Sequence, residues 1–192
     1  MIMSTVAFGG AQNRTSSSNF RHRKDQQQSM CKSDWVYNAC CGGCGKSFSK
    51  KTHLIRAIND FVVDKKYARK AHGRINCWDV SRITNMEELF YSYRTFNSNI
   101  NCWDVSKVTK MNSMFQEASS FNRPLNRWKL NNVENLTFMF SGAASFQQNL
   151  CSWHDMLPPE AQTLSMFSYS KCPSDTDPIP GDRATTMCES CY

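Results

Sequence analysis

Apolar residues recur along residues 75–149 with a period of 25 residues and without gaps. Each unit carries a Trp, an aliphatic residue, Met or Leu, and two Phe at fixed positions, with polar residues between them. One such unit cannot bury its apolar side alone, so the repeat predicts units that stack and share one core. The aromatic columns, interpreted as core, are Trp78, Trp103, Trp128 and Trp153; Phe90, Phe115 and Phe140; and Phe96, Phe121 and Phe146.

Within the second unit, the spacing of apolar residues predicts two short elements. Residues 108–111 have the pattern of a short strand, and residues 112–118 that of a helical turn, because Met114, Phe115 and Ala118 follow an i, i+1, i+4 spacing. We therefore predict a leucine-rich-repeat-like solenoid, with one short strand and one short helical turn in each 25-residue unit.

Residues 48–74 are predicted to contain a helix that caps the first unit. Ser49 is a suitable N-cap, and Leu54, Ile58 and Val62 fall on one helix face together with Ile55 and Phe61. The predicted organisation is a basic, Cys-containing, low-complexity and mostly disordered segment 1–47; the capping helix and linker 48–74; four units 75–99, 100–124, 125–149 and a degenerate 150–170; and a Pro- and Cys-containing tail 171–192.

The run WDVSKVTKMNSMF from Trp103, followed by ASSFNRPL, resembles the repeat of the BspA-like leucine-rich-repeat surface proteins. In that family a helix precedes the first Trp unit and ends in a Gly-x-Ile step, which Gly73-Arg74-Ile75 matches. The third unit departs from the pattern, with Lys129 and Leu130 after its Trp. The resemblance implies a cell-surface or secreted protein used in adhesion and protein binding, although no signal peptide is visible.

The net charge of +7 is unevenly distributed along the chain. Residues 1–74 carry 14 Lys and Arg against 4 Asp and Glu, whereas residues 75–155 are neutral. A nucleic-acid or polyanion binder acting through this basic first third is therefore the alternative function. No apolar run approaches the ~18 residues that a membrane span requires.

Candidate catalytic and metal-binding patterns are weak. Asp79 and Asp104 each follow a column Trp and are expected to cap a local bend. The Gly45-Lys46-Ser47 sequence lacks the first Gly of a phosphate-binding loop. For the cysteines, a zinc site formed by Cys31, Cys40, Cys41 and Cys44, disulfides and free thiols all stay open, and Cys77 and Cys102 are buried thiols or a cross-unit disulfide.

These patterns predict a non-catalytic protein-interaction or adhesion module without a cofactor or a metal. The expected partner is another protein or a surface glycan, and a nucleic acid is less favoured because the repeat units are neutral. The candidate contact positions are Asn85, Lys110 and Asn135, which lie beside the apolar columns and differ between units while the columns stay the same.

Overall fold

A computed structural model describes residues 45–173, 176–182, 184–185 and 187–188. Two α-helices come first, α1 at Lys51–Val63 and α2 at Lys65–His72. Two short 3₁₀-helices follow, at Ile75–Cys77 and Cys151–Trp153. Residues 1–44 of the segment 1–47, which was predicted to be mostly disordered, lie outside the described residues, as does the candidate zinc site of Cys31, Cys40, Cys41 and Cys44.

The predicted solenoid of strand-plus-helix units is wrong, because the described residues contain no β-strand and only two α-helices, both ahead of the repeats. Residues 108–111 are irregular apart from isolated bridges at Lys110, and residues 112–117 form tight turns instead. Ser113 and Glu117 have φ angles of 55° and 62°. A residue in this left-handed region interrupts both a strand and a right-handed helix. The apolar spacing reports which side chains are buried and carries no information on the sign of φ.

The 25-residue units are irregular coils that stack in parallel, and we number them coils one to four with the boundaries 75–99, 100–124, 125–149 and 150–170. Alternate N–H groups bond to the next coil, as Phe115 N does to Met139 O at 2.8 Å. The N–H groups between them close turns within the coil, as Met114 N does onto Met111 O at 3.2 Å. Adjacent coils are therefore joined by hydrogen bonds without any strand.

Ladders of aromatic rings fill the interior of the stack. The centroids of Phe90, Phe115 and Phe140 follow one another at 5.3 and 5.5 Å, with nearly parallel planes. Trp103 Nε1 donates to Ile75 O at 2.7 Å, and each later column Trp donates to the corresponding carbonyl of the preceding coil. All members of the three aromatic columns lie in one buried cluster.

Helix α1 packs against coil one. Leu54, Ala57 and Ile58 are buried in the same cluster as the aromatic columns, and the Phe61 ring makes an edge contact with Trp78 at 6.3 Å. The helix begins after Lys50, which makes no side-chain capping bond, so the predicted N-cap at Ser49 is wrong by one residue.

The predicted capping region is two helices rather than one, with Asp64 between them. The Asp64 carboxylate accepts from Lys66 N at 2.8 Å and Tyr67 N at 3.0 Å and is the N-cap of α2. Val62, which the apolar pattern places on the buried helix face, is exposed beside this break.

Segments on both sides of the repeats add to the stack. Phe48 N donates to Asp79 O at 2.8 Å, and Asp79 N donates to Lys46 O at 3.0 Å, so residues 46–48 pair with coil one. Behind coil four, the tail returns to the stack through a Cys172–Cys188 disulfide and through Leu150 N, which donates to Met187 O at 3.3 Å.

Candidate functional site

The predicted contact residues Asn85, Lys110 and Asn135 form a continuous row across coils one to three. Isolated parallel bridges join Asn85 to Lys110, Lys110 to Asn135, and Asn135 to Gln162. The side-chain oxygens of Asn85 and Asn135 accept from Glu87 N at 2.9 Å and from Thr137 N at 2.8 Å. These two side chains therefore hold the local turns, while the Lys110 side chain is exposed.

At the coil-one end of this row, side chains of helix α1 and of coil two form hydrogen bonds with residues of coil one. Lys51 Nζ donates to Asn85 Oδ1 at 3.3 Å, and Asn112 Nδ2 donates to Glu87 Oε1 at 2.7 Å. The hydrogen bond from Asn112, together with the nearby charges of Lys51 and Lys110, lowers the pKa of Glu87. This end of the row is already engaged in contacts within the chain.

Three exposed large apolar side chains lie on coils three and four, against one, Tyr91, on coil one. Phe138, Leu164 and Tyr169 are 38%, 61% and 89% exposed, and Phe138 N donates to Leu164 O at 3.0 Å, which places these two residues side by side. Sequence reasoning missed this surface. The alignment of the units contained an indication of it, because Phe138 occupies the position at which the preceding units have the polar residues Glu88 and Ser113.

The hydrogen bonds that residues 136–142 and their equivalents form between coils all run from an N–H group of the earlier coil to a carbonyl of the later coil. In coil three, the N–H groups of Leu136, Phe138, Phe140 and Gly142 donate to carbonyls of coil four, and the equivalent groups of coils one and two donate to the next coil in the same way. The last coil has no following coil to accept such bonds, so its equivalent backbone N–H groups form an edge of donors at the end of the stack, which we call the N–H edge.

The N–H edge lies on coil four. In the part of the chain that the structure describes, the N–H groups of Ser165, Phe167 and Tyr169, which are in register with the donors of coil three, donate to no acceptor. Beside them is an open cavity of about 360 Å³. The residues lining it are Phe167, Ser168, Tyr169, Ser170, Cys172, Thr176 and Asp177.

The tail covers part of this edge. The Asp177 carboxylate accepts from Met166 N at 3.1 Å, and Thr163 Oγ1 donates to Pro178 O at 2.7 Å. Coil four thus carries two exposed apolar side chains, Leu164 and Tyr169, the open cavity, and three amide groups that donate to no acceptor within the described residues. Exposed apolar side chains of this kind are common in surfaces that bind another molecule.

The two aspartates of the repeat form local turns. Asp79 Oδ1 accepts from Ser81 N at 3.1 Å and from Ser81 Oγ at 2.7 Å, and Asp104 Oδ1 accepts from Ser106 N at 3.0 Å. Burial alone would raise the pKa of Asp79, but the hydrogen bonds from Ser81 and Ser47 and the charge of Arg82 outweigh it and hold this pKa below its usual value.

Residues 45–47, which superficially imitate a phosphate-binding loop, are packed against coil one. A Cβ atom at Gly45 would lie 1.9 Å from Cys77 O, so no larger residue fits there without movement of the backbone. Lys46 Nζ lies 3.2 Å from His72 Nδ1, and Ser47 bridges to Asp79. These residues are engaged in structural contacts.

All cysteines in the described residues are disulfide-bonded. Cys172 pairs with Cys188, and Cys77, Cys102 and Cys151 are also in disulfides. The alternative of buried free thiols at Cys77 and Cys102 is therefore wrong. Within the described ranges no group of His, Cys, Asp and Glu has the arrangement of a metal site, and no helix there is long and apolar enough to cross a membrane.

Comparison with known proteins corrects the family expected from the sequence. No curated protein and no solved structure matches the chain. A family model, that of DUF285, described as "Mycoplasma protein of unknown function", matches residues 52–176, about two thirds of the 192 residues. The resemblance to BspA-like leucine-rich-repeat surface proteins is therefore wrong, as is a description of the chain as a leucine-rich repeat. The chain belongs to the DUF285 family.

Proposed function

We propose that this protein is a protein-interaction module, and that its partner protein docks on the outer face of coils three and four. The observation that carries the proposal is the exposure of Phe138, Leu164 and Tyr169 beside the unpaired amides of coil four. Aromatic side chains are enriched in the cores of protein interfaces, where their burial contributes much of the affinity. Backbone amides without an acceptor supply donors for carbonyl or carboxylate oxygens of the partner.

The row of Asn85, Lys110 and Asn135 forms the polar border of this binding face. The side chains of Asn85 and Asn135 already accept hydrogen bonds from their own turns. Lys110 is the one member of the row whose side chain is exposed. Polar side chains at an interface border contribute less to affinity than buried anchors do. We therefore assign the main contribution to the apolar residues of coils three and four.

The disulfides indicate where such a partner would be encountered. Disulfide bonds persist in oxidising environments outside the reducing cytosol, and the described cysteines are all disulfide-bonded. The proposal is therefore that the partner is a protein displayed or secreted on the oxidising side of a membrane.

Comparative affinity capture tests the proposal. The full disulfide-bonded chain is immobilised, exposed to surface proteins of the cells that produce it, and bound proteins are quantified by mass spectrometry. The test variant is Phe138→Ser/Tyr169→Ser, and serine stands at the equivalent positions Ser113 and Ser92, where it accepts the same positive φ. We expect a specific partner to be retained at least tenfold less by this variant.

The control is Tyr91→Ser, which removes an exposed aromatic side chain from coil one, outside the proposed face. A Lys110→Ser variant tests the polar border and is expected to weaken retention about twofold to fivefold. Equal retention by the Phe138/Tyr169 variant and the wild type, with both chains folded, would refute the proposed binding face.

A further inference from the structure

The junction between α1 and α2 presents apolar side chains to solvent. Val63 is 87% exposed and ends α1, Val62 precedes it, and Tyr67 in the first turn of α2 is 56% exposed. Single exposed apolar residues are ordinary on a protein surface. Two adjacent valines and a tyrosine at one helix break, pointing away from the core, form a small apolar prominence.

Basic side chains surround this prominence. Residues 64–74 contain five Lys and Arg and one Asp, a formal balance of +4. Lys65, Lys66, Arg69 and Lys70 all lie on α2 and are exposed. Lys65 Nζ lies 5.6 Å from the centre of the Phe61 ring, which keeps its charge close to the end of α1.

The acidic groups near these lysines are engaged elsewhere. The Asp64 carboxylate caps the backbone of α2, and the Asp60 carboxylate lies 2.8 Å from His72 Nε2. Across the described ranges, no salt bridge joins a carboxylate to the Lys and Arg residues of α2. Their positive charge is therefore available to an anionic partner.

We propose that this junction docks on an anionic lipid surface, with Val62, Val63 and Tyr67 entering the headgroup region and the basic side chains of α2 binding lipid phosphates. Basic charge adjoining exposed apolar side chains suits a membrane interface, where both kinds of interaction are made together. A nucleic acid would bind the charges but would leave the two valines without an apolar environment. The proposal is independent of the protein-binding face on coils three and four.

Vesicle co-sedimentation of the full disulfide-bonded chain tests this proposal. Vesicles of equal parts phosphatidylglycerol and phosphatidylcholine are compared with vesicles of phosphatidylcholine alone, at low and at high salt. We expect binding to the anionic vesicles only, weakened by salt because exposed charges are screened. The Lys65→Glu/Lys66→Glu variant is expected to bind at least tenfold more weakly, since each basic residue near such a surface contributes about fivefold.

The control for charge is Lys107→Glu/Lys129→Glu, which makes the same change in net charge at two exposed lysines of the repeat. Glu in the first turn of α2 is compatible with the helix dipole, so the test variant is expected to fold. Equal loss of binding in both variants would overturn the proposal, because net charge alone would then explain it.

A Val63→Ser variant separates a lipid surface from other polyanions. We expect it to weaken vesicle binding about threefold to tenfold and to leave the signal with a DNA duplex unchanged. Unaltered vesicle binding by Val63→Ser, or binding of the wild type to DNA in preference to anionic vesicles, would overturn the lipid assignment.

Discussion

At the scale of single residues, Asp79 shows how a repeated side chain acquires a particular role from its surroundings. Asp79 and Asp104 occupy equivalent positions, and each accepts a backbone N–H two residues further on. Only Asp79 also receives a side-chain hydrogen bond from Ser47, because residues 46–48 pair with it. The same residue type is thus exposed on coil two and partly buried in a hydrogen-bond network on coil one.

We predict that Asp79→Asn lowers the free energy of unfolding by about 1 kcal/mol at pH 7, since charged hydrogen bonds are replaced by neutral ones. The folded-state pKa of Asp79 lies below its ordinary value. The carboxylate therefore contributes stability above the unfolded-state pKa of about 3.9, and this contribution is lost as the pH falls through the folded-state value.

Urea unfolding of wild type and variant at pH 7 and near pH 3 measures this effect, and the difference between the two proteins is expected to shrink at the lower pH. Asp104→Asn is the control and is expected to cost less, because its side chain is exposed. A difference that is as large at pH 3 as at pH 7 would show that the charge of Asp79 is not its cause.

His154 occupies the position of these aspartates in coil four, but its environment is different. Its side chain is buried, and neither ring nitrogen has a hydrogen-bond partner among the described residues. A buried polar group without a partner costs free energy. Coil four therefore keeps the position after the column Trp, but no Asp side chain accepts a backbone N–H there as in coils one and two.

At the scale of the element, each coil alternates two uses of its backbone N–H groups. One set closes turns inside the coil, and the other set bonds to the next coil. Positive φ at Glu88, Ser113, Phe138 and Ser165 recurs in register, so the same unusual conformation is repeated four times. Side chains such as Phe138 and Phe140 consequently differ sharply in exposure although they are two residues apart.

We predict that Phe140→Ala lowers the free energy of unfolding by about 3–5 kcal/mol, the usual cost of removing a fully buried phenylalanine. The ring of Phe140 stacks on Phe115 at 5.5 Å and on Phe167 at 5.7 Å, so its loss leaves a gap in the ladder. Phe138→Ala is the neighbouring control and is expected to cost at most about 1 kcal/mol. Chemical denaturation measures both, and equal costs would contradict the assigned interior.

At the scale of the whole molecule, covalent bonds complement the stacked core. Cys172 and Cys188 are joined across 16 residues of the tail, which ties residues 187–188 back to the stack behind coil four. A cross-link of this length restricts the unfolded chain and thereby raises the stability of the folded state. The tail supplies Asp177 and Pro178 to the edge of coil four.

We predict that Cys172→Ser/Cys188→Ser lowers the free energy of unfolding by about 3 kcal/mol, the loop-closure contribution for a loop of this length. Thermal unfolding measures the loss. The amide exchange of Ser165, Phe167 and Tyr169 is expected to be unchanged, because these amides donate to no acceptor among the residues that the structure describes. A variant as stable as the wild type would show that noncovalent contacts hold the tail.

The sequence alone determined the period of 25 residues and the set of side chains available for a shared interior. Recurrence of Trp at residues 78, 103 and 128 is a property of the chain and can be identified without coordinates. The apolar face at Leu54 and Ile58 likewise indicated a helix, although the break at Asp64 was not predicted. Its capping bonds to Lys66 and Tyr67 form only when the helix ends there.

Only the tertiary structure decided how the backbone of each unit is folded and which surface is exposed. A short apolar pattern is compatible with strand, helix or tight turns, and the choice depends on hydrogen bonds to coils 25 residues away. The period alone was enough to place Asn85 and Asn135 in one row. It could not predict that their side chains hold local turns, or that Tyr169 is exposed. Burial follows from side-chain chemistry, whereas conformation and accessibility depend on neighbours that only the folded chain brings together.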